Sequence, residues 1–344
     1  MHEALAGGAR SVGGYQARVA GAFLVLAALV AGLVLTARTS IAASSGDPPA
    51  VSNAELPPYT PVPGVSGSVK SIGSNTLNNV MTHWAESFRR FYPSVTIEVE
   101  DKGSKGAPPA LMEGQAQFGP MSREMTPKEV DDFERRLGYK PTSLRVGIDC
   151  LAIFVHRSLP LEEISLEQVQ RIFSVSGPNL TWDQLGVKDP AFQRKPVALY
   201  GRTSSSGTYD FFKEHALGGK DFKKTVKEQP GSGGVINAVA ADPFGIGYCG
   251  IGYKTADVKA LKVSMDAGPA VEPNEANALS GDYPLARFLF VYANIDPQRQ
   301  LDPLRAEFIR FIYSRDGQES LTKDGYIRIP PAIAAEELSK LGLD

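Results

Sequence analysis

From Gly67 onward the chain switches repeatedly between two hydrophobic periods. Ser68–Ile72 and Val95–Glu100 alternate apolar and polar positions and read as strands. Between them, Leu77, Val80, Met81, Trp84, Phe88 and Phe91 fall on one helical face, so Leu77–Phe91 reads as an amphipathic helix. Ala110–Glu113 follows as a short helix. Thr126-Pro127-Lys128-Glu129 is a capping box with proline at the first helical position and opens a helix to about Leu137, and Ser165-Leu166-Glu167-Gln168 opens another to Phe173. Arg145–His156 is a long, largely apolar run, more than one strand of a small sheet, and suits a segment that crosses between domains. Gly245–Tyr253 intersperses glycine with bulky residues and suits a return crossing. Alternation of this kind predicts an α/β fold with mainly parallel sheets.

Ahead of this pattern the chain has a different character. Arg10 and Arg18 precede a charge-free apolar run, Ala20–Ala37, and Ser40-Ile41-Ala42 then offers small residues where a signal peptidase reads. This predicts an export signal over residues 1–42. The competing reading is an uncleaved membrane anchor, because the run is about long enough to span a bilayer. No cysteine lies near the cleavage site, so the signal is not of the lipoprotein type. Residues 43–66 are rich in Pro, Ser and Gly without an apolar period and read as a flexible leader, with structure starting near Gly67.

The 344 residues suit about two domains. Lys and Arg number 36 against 38 Asp and Glu, so no basic field exists to hold a polynucleotide, and no nucleic-acid partner is expected. The two cysteines, Cys150 and Cys249, lie in apolar segments; a bridge and two buried thiols are both compatible with that. Neither has a His or Cys neighbour at metal-ligand spacing, and His2, His83, His156 and His215 stand apart from one another. No metal, cofactor or catalytic base is therefore expected.

Candidate chemistry gathers in four loops. Gly201-Arg202-Thr203-Ser204-Ser205-Ser206-Gly207-Thr208 stands directly before the helical Tyr209–Glu214, so an arginine fork, hydroxyls and the free amides of a helix N-terminus converge. Gly73-Ser74-Asn75-Thr76 and Gly103-Ser104-Lys105-Gly106 each follow a strand and precede a helix, and Pro120-Met121-Ser122-Arg123 follows Gln117-Phe118-Gly119. Loops at the carboxyl ends of parallel strands share one edge, where α/β proteins bind ligands. None carries a P-loop or dinucleotide fingerprint, which points to a small free oxyanion instead of a nucleotide.

These four loops, with Asp149–Val155, Thr181–Gly186, Gly245–Tyr253, Tyr283-Pro284-Leu285, Gly317-Gln318 and Gly325-Tyr326-Ile327, resemble the phosphate-binding proteins of bacterial phosphate ABC transporters over roughly residues 67–330. The resemblance implies a periplasmic binding protein fold of type II, two α/β lobes joined by two crossover strands that close on inorganic phosphate. It implies residues 67–149 with 250–344 as lobe I and 150–249 as lobe II. Ser74, Asn75, Thr76 and Ser104 would donate from the first lobe, and Arg202, Ser206, Gly207 and Thr208 from the second; Ser122 and Arg123 belong to the same set, and Ser205 joins it on position alone. Some relatives carry an aspartate where Arg123 stands, to accept the proton of a protonated phosphate. Asp149 is the candidate substitute, its alternative role being a cap or an ion pair with Arg123. Side-by-side crossover strands imply a Cys150–Cys249 bridge. The implied partners are permease subunits, the protein a monomeric periplasmic binder and not an enzyme. A secreted phosphatase, a membrane-anchored sensor, and a binder of another oxyanion such as sulfate are the alternatives.

Overall fold

The computed structural model describes residues 55–265 and 267–343. The signal or anchor expected over 1–42 lies outside the described residues. Strand and helix alternate through β1 (Gly67–Gly73), α1 (Asn78–Phe91), β2 (Val95–Asp101), α2 (Ala107–Met112), β3 (Phe118–Met121), α3 (Pro127–Leu137) and β4 (Thr142–His156). The chain continues with β5 (Glu163–Ser165), α4 (Leu166–Phe173), β6 (Ala198–Arg202), α5 (Gly207–His215), β7 (Lys227–Gln229), α6 (Ser232–Ala241) and β8 (Gly245–Gly250). It ends with β9 (Val258–Ala260), β10 (Lys262–Ser264), α7 (Glu275–Ser280), β11 (Ala286–Ala293), α8 (Pro303–Tyr313), α9 (Arg315–Lys323) and α10 (Pro331–Ser339).

Local chemistry explains where the helices begin. Both expected capping boxes form: the side chains of Thr126 and Ser165 accept from the amides of Glu129 and Gln168, whose side chains accept in return from the cap amides. α1 buries Val80, Met81, Trp84 and Phe88, the stripe read from the sequence.

The main sheet runs β2-β1-β3-β11-β4-β8-β6-β7, with β9 on β4. It is mixed, not mainly parallel: β2, β1 and β3 are parallel, as are β8, β6 and β7, while β4 and β11 run against their neighbours. β4 joins the two halves. Its Thr142–Cys150 portion pairs with β11 and its Leu151–Val155 portion with β8, so the long apolar run does cross from one half to the other.

Each half has its own core. Trp84, Phe88, Phe118, Phe308, Phe311 and Tyr313 build the first, and Ile153, Phe173, Trp182, Phe212, Tyr248 and Leu285 the second. Trp84 donates its indole N–H to the Gly317 carbonyl at 2.7 Å, so its polar atom is paired as well as buried. Leu261, Val263, Ala278, Tyr283 and Leu285 belong to the second core, so the expected boundary at residue 250 is not where that core ends. The chain touches the first core at Tyr253, returns for β9, and enters the first half through β11, with Ile327 still reaching the second core.

Two further expectations give way. The leader is not loose up to residue 66: Tyr59 and Val65 are buried in the first core, and the Tyr59 hydroxyl donates to Glu307 at 2.7 Å. The cysteines are free thiols. In the β4–β8 register Cys249 faces Ala152, two positions from Cys150, and the thiols turn to separate carbonyls, Cys150 to Asn274 and Cys249 to Gly250. Burial pushes both thiols well above their ordinary pKa, with Asp149 adding to the effect.

Candidate functional site

The carboxyl ends of β1, β2, β3 and β6 bring the four loops together. Gly73 closes β1 against the third loop, where a Cβ would sit 2.2 Å from the Pro120 carbonyl, and the Ser74 amide donates to that carbonyl at 2.8 Å. Ser74 then accepts from the Thr76 amide. Gly103 turns with φ of +76°, a left-handed conformation that favours glycine, and delivers Ser104 to within 3.1 Å of the Ser122 amide. At Gly207, the first residue of α5, a Cβ would lie 2.4 Å from Ser104 Oγ and 2.9 Å from Ser122 Oγ. Only glycine lets the α5 N-terminus come this close to the loops of the first half, and its amide lacks an intrahelical partner there.

Hydroxyls from both halves meet at this point. Thr76 Oγ1 and Thr208 Oγ1 are 2.9 Å apart, and Ser122 Oγ lies 3.4 Å from Thr208 Oγ1. Ser74, Thr76, Ser104, Ser122, Ser206 and Thr208 are all buried, and Ser206 caps α5 by accepting from the Thr208 amide.

Arg202, at the end of β6, is fully buried. One of its Nη atoms donates to Ser232 at 2.7 Å and the other to the Asn75 side chain at 3.1 Å, which ties the second half to the first. Its Nε has no hydrogen-bond partner, and among the described residues no carboxylate lies within ion-pair distance of it. Burial pulls the guanidinium below its ordinary pKa, with a further contribution from Arg287; contributions from Cys249 and Tyr248 oppose this. A buried, unpaired cation with a free donor is costly unless an anion joins it.

Three expected site residues lie elsewhere. Ser205 is exposed and its hydroxyl meets Thr203, although its carbonyl accepts from the Lys105 amide across the halves. Arg123 is consumed by carboxylates: two bonds to Glu129 at 2.7 and 2.9 Å and one from Nε to Asp210 at 2.9 Å. Lys105 reaches the same Asp210 at 3.1 Å, so the two cations from the first half clamp one α5 carboxylate at the rim. Asp149 is not paired with Arg123. It holds Arg287, whose Nε and Nη2 donate to it at 3.1 and 2.8 Å, and accepts the Ile251 amide at 3.1 Å.

Arg287 and Ser232 escaped the sequence reading. Arg287 lies directly across from Asp149 in the β11–β4 register and also donates to Thr208 Oγ1 at 2.9 Å and to the Ser122 carbonyl at 2.8 Å. A charged residue inside the apolar Ala286–Ala293 strand was the available signal. Ser232 sits in Gly231-Ser232-Gly233-Gly234, another glycine–serine step into a helix.

No cluster of three or more metal-ligating side chains occurs among the described residues. The histidines described lie outside the hydroxyl cluster: His83 pairs with Asp324, His156 with Ser158, and His215 packs at a tilt against Phe211. What the site offers is a cluster of hydroxyls drawn from two separately cored halves, and a desolvated cation that reaches the same loops through Asn75.

Known proteins share the chain's overall pattern. Residues 58–316 match the model of a PBP superfamily domain. A phosphate-binding protein PstS of Pseudomonas aeruginosa is 47% identical over 319 residues, which cover 90% of this chain and 98% of that protein. The PstS of Staphylococcus saprophyticus is 27% identical, over 80% of this chain and 84% of its own. A Clostridium perfringens structure with bound phosphate, assigned as a phosphate ABC transporter substrate-binding protein, superposes with a TM-score of 0.66 at 26% identity, covering 77% of this chain and all of that one. This chain belongs to the PBP superfamily and, within it, to the family of the phosphate-binding protein PstS.

Proposed function

We propose that the protein binds inorganic phosphate between its two halves outside the cytoplasm and delivers it, as a monomer, to the permease subunits of an ABC transporter. The observation that carries this is Arg202: fully buried, without a carboxylate in ion-pair reach among the described residues, its Nε unpartnered and its Nη atoms held by Ser232 of one half and Asn75 of the other. The anion supplies what that site lacks. Residues 67–149 with the segment from about 286 onward act as one lobe and residues 150 to about 285 as the other, a revision that follows the cores. Transport receptor, not phosphatase, is the reading that suits a cradle with no histidine or metal cluster beside its serines among the described residues.

Isothermal titration with phosphate tests this. Each charge-assisted hydrogen bond is worth roughly 1.5–3 kcal/mol, and a micromolar Kd needs about 8 kcal/mol beyond ordering costs. Saturable one-to-one binding at micromolar phosphate is expected; absence of heat at that concentration contradicts the reading.

The rim contacts carry a second expectation. Asp210, clamped by Lys105 and Arg123, links the second half to the first. Asp210→Asn is expected to speed phosphate release by roughly 3- to 10-fold in stopped-flow, since each such partly exposed pair contributes about 1 kcal/mol or less. An unchanged release rate removes the clamp. For its neighbour Glu129, burial alone would raise the carboxyl, but the bonds from Arg123 and Thr126 outweigh it and hold it below its ordinary 4.5. A depressed folded value means the Arg123–Glu129 contribution is complete above that pH and is lost in acid, so that pair is intact at neutrality.

A further inference from the structure

Two Gly-Tyr steps, Gly252-Tyr253 after β8 and Gly325-Tyr326 after α9, lie outside the four anion loops and press against one another. A Cβ on Gly252 would stand 2.2 Å from the Asp324 carbonyl and 3.0 Å from the Tyr326 ring, and one on Gly325 would stand 2.9 Å from the Gly252 Cα. Backbone rests on backbone. Gly325 also turns with φ of +77°, a left-handed conformation that favours glycine. Ile251, just before the first step, gives its amide to Asp149 at 3.1 Å, so the contact is fixed beside the crossing strand β4.

Each step sends one hydroxyl to the first anion loop. Tyr253 donates to the Asn75 carbonyl at 3.0 Å and Tyr326 to the Thr76 carbonyl at 2.9 Å, two successive peptides. Burial pushes both phenols up, Tyr253 to about 12 and Tyr326 well above its ordinary value, so both keep their protons through the neutral range.

The other end of each of these peptides turns back to Ser74. The Thr76 amide, which shares a peptide with the Asn75 carbonyl, donates to Ser74 Oγ at 3.2 Å, and the Leu77 amide, which shares one with the Thr76 carbonyl, donates to the Ser74 carbonyl at 3.2 Å. Both bonds are at the long end of the N–H···O range. A peptide whose carbonyl accepts a hydrogen bond is polarised, and its N–H becomes the stronger donor. Withdrawing either phenol therefore loosens a bond that orients Ser74. Meanwhile Arg202 Nη2 holds the Asn75 side chain, so the same loop is gripped by the buried cation at one residue and by phenols at two carbonyls.

We propose that Tyr253 and Tyr326 are positioning residues for the anion, acting on it through Ser74 without touching it. This rests on the phosphate reading above and adds to that site a supporting pair from outside its loops. Tyr253 belongs by chain to the second half, between β8 and β9, yet packs against the first core. Its hydroxyl thus ties the aim of a first-half donor to the place of the second half.

A double-mutant cycle read by phosphate titration of the full mature protein tests this. Tyr253→Phe keeps the ring and loses the hydroxyl, and is expected to weaken phosphate by roughly 3- to 10-fold, the worth of one ordinary hydrogen bond. Ser74→Ala alone is expected to weaken it by about tenfold or more. In the Ser74→Ala background the tyrosine substitution is expected to cost less than about twofold, because the group it acts through is gone. A tyrosine that only supports the fold lowers the Tm and costs the same factor in both backgrounds. Equal factors overturn the proposal, as does an unchanged affinity in either single variant. Tyr326→Phe, taken through the same cycle, decides the matter if Tyr253→Phe does not fold. A ligand-free reading separates this inference from the phosphate reading: the Thr76 amide proton is expected to move upfield in the NMR spectrum of Tyr253→Phe, and the Leu77 amide proton in that of Tyr326→Phe. Unmoved resonances overturn the relay through the peptides. Moved resonances in a protein that takes up no phosphate overturn the phosphate reading, and the positioning role with it.

Discussion

Replacing Arg202 by Met removes phosphate binding while leaving the empty protein at least as stable as before. Those two effects come from one fact. The guanidinium is fully buried, has no carboxylate in ion-pair reach among the described residues, and keeps an unpartnered Nε. In the empty state it is a desolvated charge held by two neutral acceptors, Ser232 and Asn75, and no counter-charge, and a hydrophobic replacement of similar volume for buried ionic groups is often neutral or stabilising by about 1–4 kcal/mol. In the bound state it is the fixed charge of the site, and losing its charge-assisted bonds costs roughly 3–4 kcal/mol, a factor of about 10²–10³ in Kd. Thermal melts with and without phosphate read both: an equal or higher Tm for the empty variant, and no upward shift on adding phosphate. A variant with a lower empty Tm that still shifts with phosphate would mean that Arg202 is structural.

Asp149→Asn is expected to do the opposite. Asp149 is the counter-charge of Arg287, and both are buried where β4 and β11 pair. Removing one partner of a buried pair strands the other and costs about 3–5 kcal/mol. For a domain of this size that is a fall in Tm on the order of 10 °C. A melt within about 2 °C of the unsubstituted protein would contradict the role of Asp149 as Arg287's anchor. The two arginines are chemically alike and differ in whether the chain provides their anion. That difference separates a residue built for the fold from one left open for a ligand.

Much of the binding loop set could be read along the chain because its signals are local. A strand, a glycine, hydroxyls and a helix start occur within eight residues of one another at Gly73, Gly103 and Arg202, and the helix caps at Thr126 and Ser165 are equally short-ranged. What could not be read depends on pairing across the chain. Arg287 meets Asp149 only through the β11–β4 register, 138 residues away. The direction of Arg123 is decided by Asp210 on α5, and Tyr59 is buried because Phe88, Phe91 and Phe311 from distant helices receive its ring. The cysteines show how narrow such inferences are. A two-residue offset in the β4–β8 register, Cys249 opposite Ala152, separates adjacent crossing strands from bonded thiols. Likewise the second core reaches past Gly250 because Tyr283 and Leu285 pack under β4, a contact that no periodicity announces.

The central claim is that an oxyanion completes Arg202 between the two halves, and a crystal structure of the protein grown with phosphate tests it most directly. The prediction is phosphate within hydrogen-bond distance of Arg202 Nε and the Gly207 amide, contacted by Thr76 and Ser104 from one half and Thr208 from the other. Phosphate bound elsewhere, with Arg202 Nε still unpartnered, would contradict it.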